Sequence, residues 1–231
     1  LDTSFVQRRY EFSGFNGISA NGPVRIRIMQ AEDWDVRVFS SREDSGSIKI
    51  RHRNEIFQIR INERPVTQAP TPVIVITMPE LTSLELEGAV EMEAGGFSSN
   101  LPLNVLMKSG AYLNINGFEA SESIFTMEGP CILHAFLSVD RMEINSTGKM
   151  AARLGGRMEE LFLSAESSSR LDGTMLLVDR VELDLKGICE IRISPDQSLS
   201  VRSDDESIIY YNGEYLKEEP SVYGPALLRK Y

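Results

Sequence analysis

From residue 81 to residue 193, apolar and polar positions alternate around recurring glycines, in the form apolar–x–apolar–x–Gly–x–apolar–x–apolar. Leu84–Met92 reads L-E-L-E-G-A-V-E-M, and Leu183–Ile191 reads L-D-L-K-G-I-C-E-I. The anchors are Gly88, Gly110, Gly129, Gly148, Ser167 (in place of Gly) and Gly187, at steps of 22, 19, 19, 19 and 20 residues. At positions −4, −2, +2 and +4 from the anchors, 20 of 24 residues are apolar; the exceptions are Lys108, Asn114, Ser146 and Ser169. At −3, −1, +3 and +5 only 5 of 24 are apolar. A period of two says strand with one buried face, and a fixed spacing near 20 says repeat. One such repeat has too little apolar surface to fold alone, so the repeats must stack. The pattern therefore predicts an all-β, parallel β-helix (β-solenoid) with coils about 4.8 Å apart. Leu84, Leu106, Phe125, Ile144, Leu163 and Leu183 would form one internal ladder. After Gly110 the phase breaks, with Leu113 and Ile115 at odd positions, and a bulge or register shift is expected there. A leucine-rich repeat would need an Asn/Cys position and a helical return leg, and neither appears.

Residues 1–80 read as an irregular N-terminal β region, expected to continue the same stack. A lead-in strand is expected at Phe5–Phe12, followed by short β-type runs, most of them alternating, at Val24–Ile28, Asp35–Phe39, Ser47–Arg51, Ile56–Ile61 and Val73–Met78. Turn formers separate them, among them Asn21-Gly22-Pro23, Asp44-Ser45-Gly46 and the proline-rich stretch from Pro65 to Pro72. Residues 81–200 are the regular coils. Residues 201–231 leave the pattern and read as a capping tail, since a repeat array needs an atypical end to cover its last open edge.

Composition narrows the partners. The 231 residues carry a net charge of −10 with a pI near 4.8. That balance argues against nucleic acid, against an electrostatic hold on anionic lipid, and against an acidic polymer as substrate. No apolar run reaches 18 residues, so no transmembrane helix is expected. Leu1 in place of Met is what a chain relieved of a targeting segment would show. Cys131 and Cys189 share the +2 position three coils apart, about 14 Å by strand spacing. A disulfide needs Cα atoms within about 7 Å, so two free, buried thiols are expected.

The sharpest candidate chemistry lies eight and seven residues before the anchors. Column −8 reads Ser121, Asp140, Glu159, Asp179, and column −7 reads Glu122, Arg141, Glu160, Arg180. One reading is a Ca²⁺ or sugar site shared between carboxylates of neighbouring coils. The other is an ion ladder in which Arg141 and Arg180 neutralise the glutamates, and it is the expected one because arginine opposes cation binding. Column −1, with Glu87, Ser109, Glu128, Thr147, Glu166 and Lys186, reads as a polar outer face. His52 and His134 read as surface residues, and Trp34 as a half-buried strand residue. No triad or H-E-x-x-H pattern is present; no catalytic residue, metal site or cofactor is assigned. Tyr210, Tyr211 and Tyr215 are a candidate interaction patch, or simply packing within the cap.

Several short motifs, taken in order, resemble the head GIN domain family of adhesin-like bacterial envelope proteins. They are Gly14-Phe15-Asn16-Gly17-Ile18, Gly22-Pro23-Val24, Glu87-Gly88-Ala89, Ser109-Gly110-Ala111, Tyr210–Gly213 and Val222-Tyr223-Gly224-Pro225. The resemblance covers nearly the whole chain. It implies a right-handed, single-stranded parallel β-helix and an exported location, periplasmic or at the cell surface. It brings no catalytic residue set. Two functions are expected to compete: a non-catalytic envelope scaffold binding a glycan or protein partner, and a β-helix carbohydrate-active enzyme of the polysaccharide lyase or pectinase type. The enzyme would need Asp140, Glu159 and Asp179 in a concave groove.

Overall fold

The alternating runs become strands throughout. The computed structural model describes residues 5–41, 46–62, 70–214 and 216–230, which form nineteen strands and no helix in a β-solenoid of about seven turns. The strands are β1 (Phe5–Tyr10), β2 (Gly17–Asn21), β3 (Val24–Gln30), β4 (Asp35–Ser41), β5 (Ile48–Arg53), β6 (Ile56–Ile61), β7 (Val73–Met78), β8 (Ser83–Glu87), β9 (Val90–Ser98) and β10 (Leu103–Lys108). The long strands β11 (Tyr112–Glu128), β12 (Cys131–Ser146), β13 (Met150–Ala165) and β14 (Arg170–Leu185) follow. The chain closes with β15 (Glu190–Ile193), β16 (Pro195–Ser203), β17 (Ile208–Tyr211), β18 (Ser221–Tyr223) and β19 (Leu227–Lys230).

Each coil runs along one sheet, turns at its anchor and continues along a second. The first sheet stacks β5, β6, β2, β8, β10, the later halves of β11 to β14, then β16 and β18. The second stacks β1, β4, β7, β3, β9, the earlier halves of β11 to β14, then β15, β17 and β19. All neighbours are parallel except β1–β4, β4–β7 and β5–β6. Stacking order and chain order part company in the first third. Strand β2 pairs with both β6 and β8, and β3 with both β7 and β9, so the β2–β3 coil lies inside the later β6–β7 coil. Gly22 joins these two strands just as Gly88 joins β8 and β9, with Ile18, Ala20, Val24 and Ile26 buried around it. Its φ is +99°, and a Cβ there would sit 2.1 Å from the Ile61 carbonyl oxygen, so no other residue fits.

The phase break after Gly110 has a simpler cause than a bulge. Lys108 lies opposite both Glu87 and Glu128, which aligns Ser109, not Gly110, with Gly88 and Gly129. Ser109 has φ +55°, beside +77° and +80° at those glycines. With the anchor moved by one, Val105, Met107, Ala111 and Leu113 all point inward and are buried. Val105, facing Leu84 and Phe125, takes the ladder place expected of Leu106. The register shift itself lies further on, between Asn116 and Phe118. The two serine exceptions are buried and satisfied: Ser146 and Ser169 hydroxyls donate to the Gly148 carbonyl at 2.9 and 3.5 Å. Cys131 and Cys189 are buried and free, and burial pushes both thiols up.

Candidate functional site

Two segments of nearly the same sequence, Val139–Ile144 (V-D-R-M-E-I) and Val178–Leu183 (V-D-R-V-E-L), cross the corner between the second sheet and the first. Pairing runs Ala120 to Val139 and then resumes Glu122 to Arg141, so the ladder lapses at Ser121 and Asp140. The same lapse falls at Glu159 and at Asp179. Column −8 is therefore an exposed corner, with Asp140 and Glu159 exposed and Asp179 half-buried, accepting a hydrogen bond from Gln197 Nε2 at 2.8 Å. Column −7 is back in register. Arg141 lies 3.7 Å from Glu122 and from Glu143, and Arg180 donates to Glu160 through Nε at 3.0 Å and Nη2 at 2.7 Å. The Glu160 carboxylate raises the Arg180 guanidinium above its ordinary value. Such exposed, solvent-screened pairs contribute little to stability and chiefly fix register. Among the described residues no three of His, Cys, Asp or Glu come together as a metal would require.

Immediately before this corner lies a surface that alternation alone did not single out. Phe136, Met175 and Leu177 are 48%, 57% and 62% exposed on the outer side of the second sheet. Gly155 lies between them, opposite Phe136 on one coil and Met175 on the next. A Cβ at Gly155 would fall 2.5 Å from the Phe136 ring and 3.4 Å from Met175, so the ring lies across the bare backbone. Arg157 sits in register between Ser138 and Leu177. The result is an apolar patch on a flat floor, bordered by Arg157 and the acidic corner. Its sequence signal was present: three outward positions hold large apolar residues where the pattern calls for polar ones.

The remaining candidates are dispersed. Tyr210 and Tyr211 alternate along β17: Tyr210 lies under the Arg192 guanidinium, 5.4 Å from its ring centre, while Tyr211 packs against the core. Tyr215 lies outside the described residues. His134 is half-buried and its Nδ1 is 3.2 Å from the Tyr112 hydroxyl. Column −1 holds Lys108 where Ser109 was expected. It pairs opposite charges on either side of Thr147, with Lys108–Glu128 at 3.0 Å and Lys186–Glu166 at 3.3 Å. The hydrogen bond to Glu128 raises the Lys108 ammonium above its usual value. Trp34 is half-buried and its Nε1–H donates to the Phe15 carbonyl at 2.8 Å. Among the described residues no helix is long and apolar enough to cross a membrane.

Solved structures share this architecture. The structure described as a "putative adhesin" from Parabacteroides merdae superposes with a TM-score of 0.83 at 15% identity, covering 100% of this chain and 97% of its own. A "putative lipid binding protein" from Parabacteroides distasonis gives 0.79 at 13% identity, covering 100% and 98%. A "putative adhesin" from the same organism gives 0.76 at 15% identity, again covering 100% and 98%. Likeness at such identities shows a common fold. Comparison with the curated proteins gives no match. The family model described as "Putative auto-transporter adhesin, head GIN domain" matches residues 14–214, from the first glycine motif to the penultimate turn, and this chain belongs to that family.

Proposed function

We propose that this protein is a non-catalytic scaffold exported to the bacterial envelope, periplasmic or at the cell surface, which holds a partner against its outer surface as an adhesin does. One observation carries the reading: the exposed Phe136, Met175 and Leu177 grouped over Gly155, beside the charged corner of Asp140, Arg141, Glu159, Asp179 and Arg180. Large apolar side chains gathered on an otherwise polar surface mark interaction sites. An apolar centre with a charged rim is the anatomy of a protein–protein contact, so the partner at this corner is a protein. The glutamates of column −7 are engaged by arginines, which fits a recognition rim better than a general acid and base. The family supports adhesion.

A photo-crosslinking residue at position 138, between the patch and the corner, tests this in intact cells of the source organism. The expected result is one defined envelope-protein product, weakened about tenfold by Phe136→Ser and by Leu177→Ser, since a central apolar anchor contributes about 1–2 kcal/mol or more. A product whose yield is indifferent to both substitutions, or none from correctly exported protein, would sink the proposal. Cell fractionation settles the location, and a purely cytoplasmic protein would end the envelope reading.

A further inference from the structure

The net charge of −10 conceals a local excess of the opposite sign. The hairpin β5–β6, residues 48–61, carries Lys49, Arg51, Arg53 and Arg60 against a single carboxylate, Glu55. It forms the N-terminal rim of the first sheet, pairing antiparallel with Lys49 directly opposite Arg60. Like charges directly opposite on a ladder are destabilising. Two such in-register pairs occur among the described residues, and the other, Arg9 and Arg37, serves as an internal control. There Asp35 lies between the guanidinium groups, 2.5 Å from Arg9 and 2.6 Å from Arg37. Lys49 and Arg60 have no such carboxylate within ion-pair distance among the described residues.

Among the described residues, the two acids that line this face are hydrogen-bonded elsewhere. Along the same outward row the register runs Lys49, Arg60, Asn21, Glu87, Lys108, Glu128. Glu87 accepts a hydrogen bond from Asn21, and in the next row Glu85 accepts one from Ser19 at 3.1 Å. Further along, the row alternates in sign; at this end two cations stand side by side. They line a pocket of about 360 Å³ together with Arg51, Gln58 and Asn62, with Glu85 and Glu87 on its far wall. One wall offers cations and the others offer amides and carboxylates.

We infer that this pocket binds an anionic saccharide, whose carboxylate or sulfate group takes the place between Lys49, Arg51 and Arg60 that Asp35 takes between Arg9 and Arg37. The far wall favours a sugar over other anions. Ring hydroxyls can donate to Glu85 and Glu87 and accept from Gln58 and Asn62, whereas a lipid bilayer or a nucleic acid would press further negative charge against those glutamates. This site stands apart from the apolar patch: it is on the other sheet, several coils away along the stack, and takes a different chemistry.

The test uses the full chain and four probes at low ionic strength: an oligogalacturonate, a sulfated heparin oligosaccharide, a neutral maltooligosaccharide of equal length, and phosphatidylglycerol vesicles. The expected result is binding of one or both acidic oligosaccharides but not of the neutral one. Preference between the uronate and the sulfate identifies the anionic group. K49Q/R51Q/R60Q should weaken that binding about tenfold or more, because charge-assisted hydrogen bonds are lost. Lys49→Glu should abolish binding while raising the melting temperature of the unliganded protein by about 1–2 °C, since it turns a repulsive cross-strand pair into an attractive one. The 138 crosslink should be unchanged in all of these variants, so the two sites can fail separately. Binding that survives the triple substitution, an absence of binding to either acidic oligosaccharide, or a lower melting temperature for Lys49→Glu would overturn the inference. So would vesicle binding that the triple variant loses without any saccharide binding, which would make this a lipid-facing surface.

Discussion

The two ends of this solenoid solve one problem in different ways. A stack of parallel strands exposes unpaired backbone groups at each end, an invitation to uncontrolled pairing. At the N-terminal end the chain reverses: β1, β4 and β5 add antiparallel strands, and aromatic side chains cover the opening. Phe15 and Phe57 stack at 5.0 Å, Phe12 meets Phe57 edge-on at 5.6 Å, and Trp34 closes over Phe15. The Arg9–Asp35–Arg37 clasp pins the outer strands of the second sheet. At the C-terminal end the coils keep their direction and shrink instead. Strands β18 and β19 have three and four residues, Val222, Ala226 and Leu228 are only partly buried, and Tyr223 and Leu227 are 66% and 51% exposed. One end is a sealed lid and the other a taper, so stability should be graded along the axis.

The largest expected effect is at the lid. Phe57 is fully buried at the centre of the aromatic cluster, so Phe57→Ala should cost about 3–5 kcal/mol, the transfer term plus the cavity left behind. Urea unfolding followed by circular dichroism would measure it. A loss below about 1 kcal/mol would mean that the lid packs against nothing essential. Next in size is the gradient itself. Backbone amides of β17 and β19 should exchange with solvent well before those of β2 and β3, because short terminal strands open locally without global unfolding. Hydrogen-exchange mass spectrometry reads this directly, and uniform protection from end to end would erase the contrast.

The clasp predicts a pH signature. The hydrogen bond from Arg9, helped by Arg37, holds the Asp35 carboxyl below its ordinary value. A carboxylate depressed in the folded state contributes stability above its unfolded pKa, near 3.9. That contribution is lost as pH falls through the depressed folded value. Asp35→Asn should therefore be less stable than the parent by an amount constant from about pH 5 to 7 and shrinking below about pH 4. A difference that grew on acidification would reverse the sign and refute the clasp.

Much of this fold was legible because its rule is local. Alternation at ±2 and ±4 from an anchor requires only neighbouring residues, and it located the coils, the inward column and the two separated thiols. It faltered where one residue can be traded for another. At coil two Ser109 occupies the left-handed position beside Gly110, so the glycine drew the anchor one place too far. It was silent on long-range order. Nothing within residues 17–30 or 56–78 reveals that the β6–β7 coil stacks outside β2–β3, because both obey the same apolar rule. For the candidate site the limit was different. The acidic corner was visible as a column of charges. The patch depends on Phe136, Gly155 and Met175 meeting across three coils with an irregular step at Gly155, which shifts the register and hides the column.

The smallest predicted effect tests the tapered end. Leu228 continues the inward +4 column that Ile26 and Met92 hold within the stack, but no coil lies beyond β19 among the described residues, and Leu228 is only half-buried. Leu183, in the middle of the internal ladder, has coils on both sides. The same truncation should thus have unequal consequences. Leu183→Ala leaves an enclosed void and should cost about 2–5 kcal/mol. Leu228→Ala leaves a notch open to water, losing only part of one side chain's transfer energy, about 1 kcal/mol. A modest Leu228 effect with normal exchange in β2 and β3 would show that the taper frays without loosening the lid. If Leu228→Ala matched Leu183→Ala, the C-terminal end would have to be packed against a further layer in solution, and the contrast between a sealed and an open end would give way to two sealed ends, one of them closed by a partner.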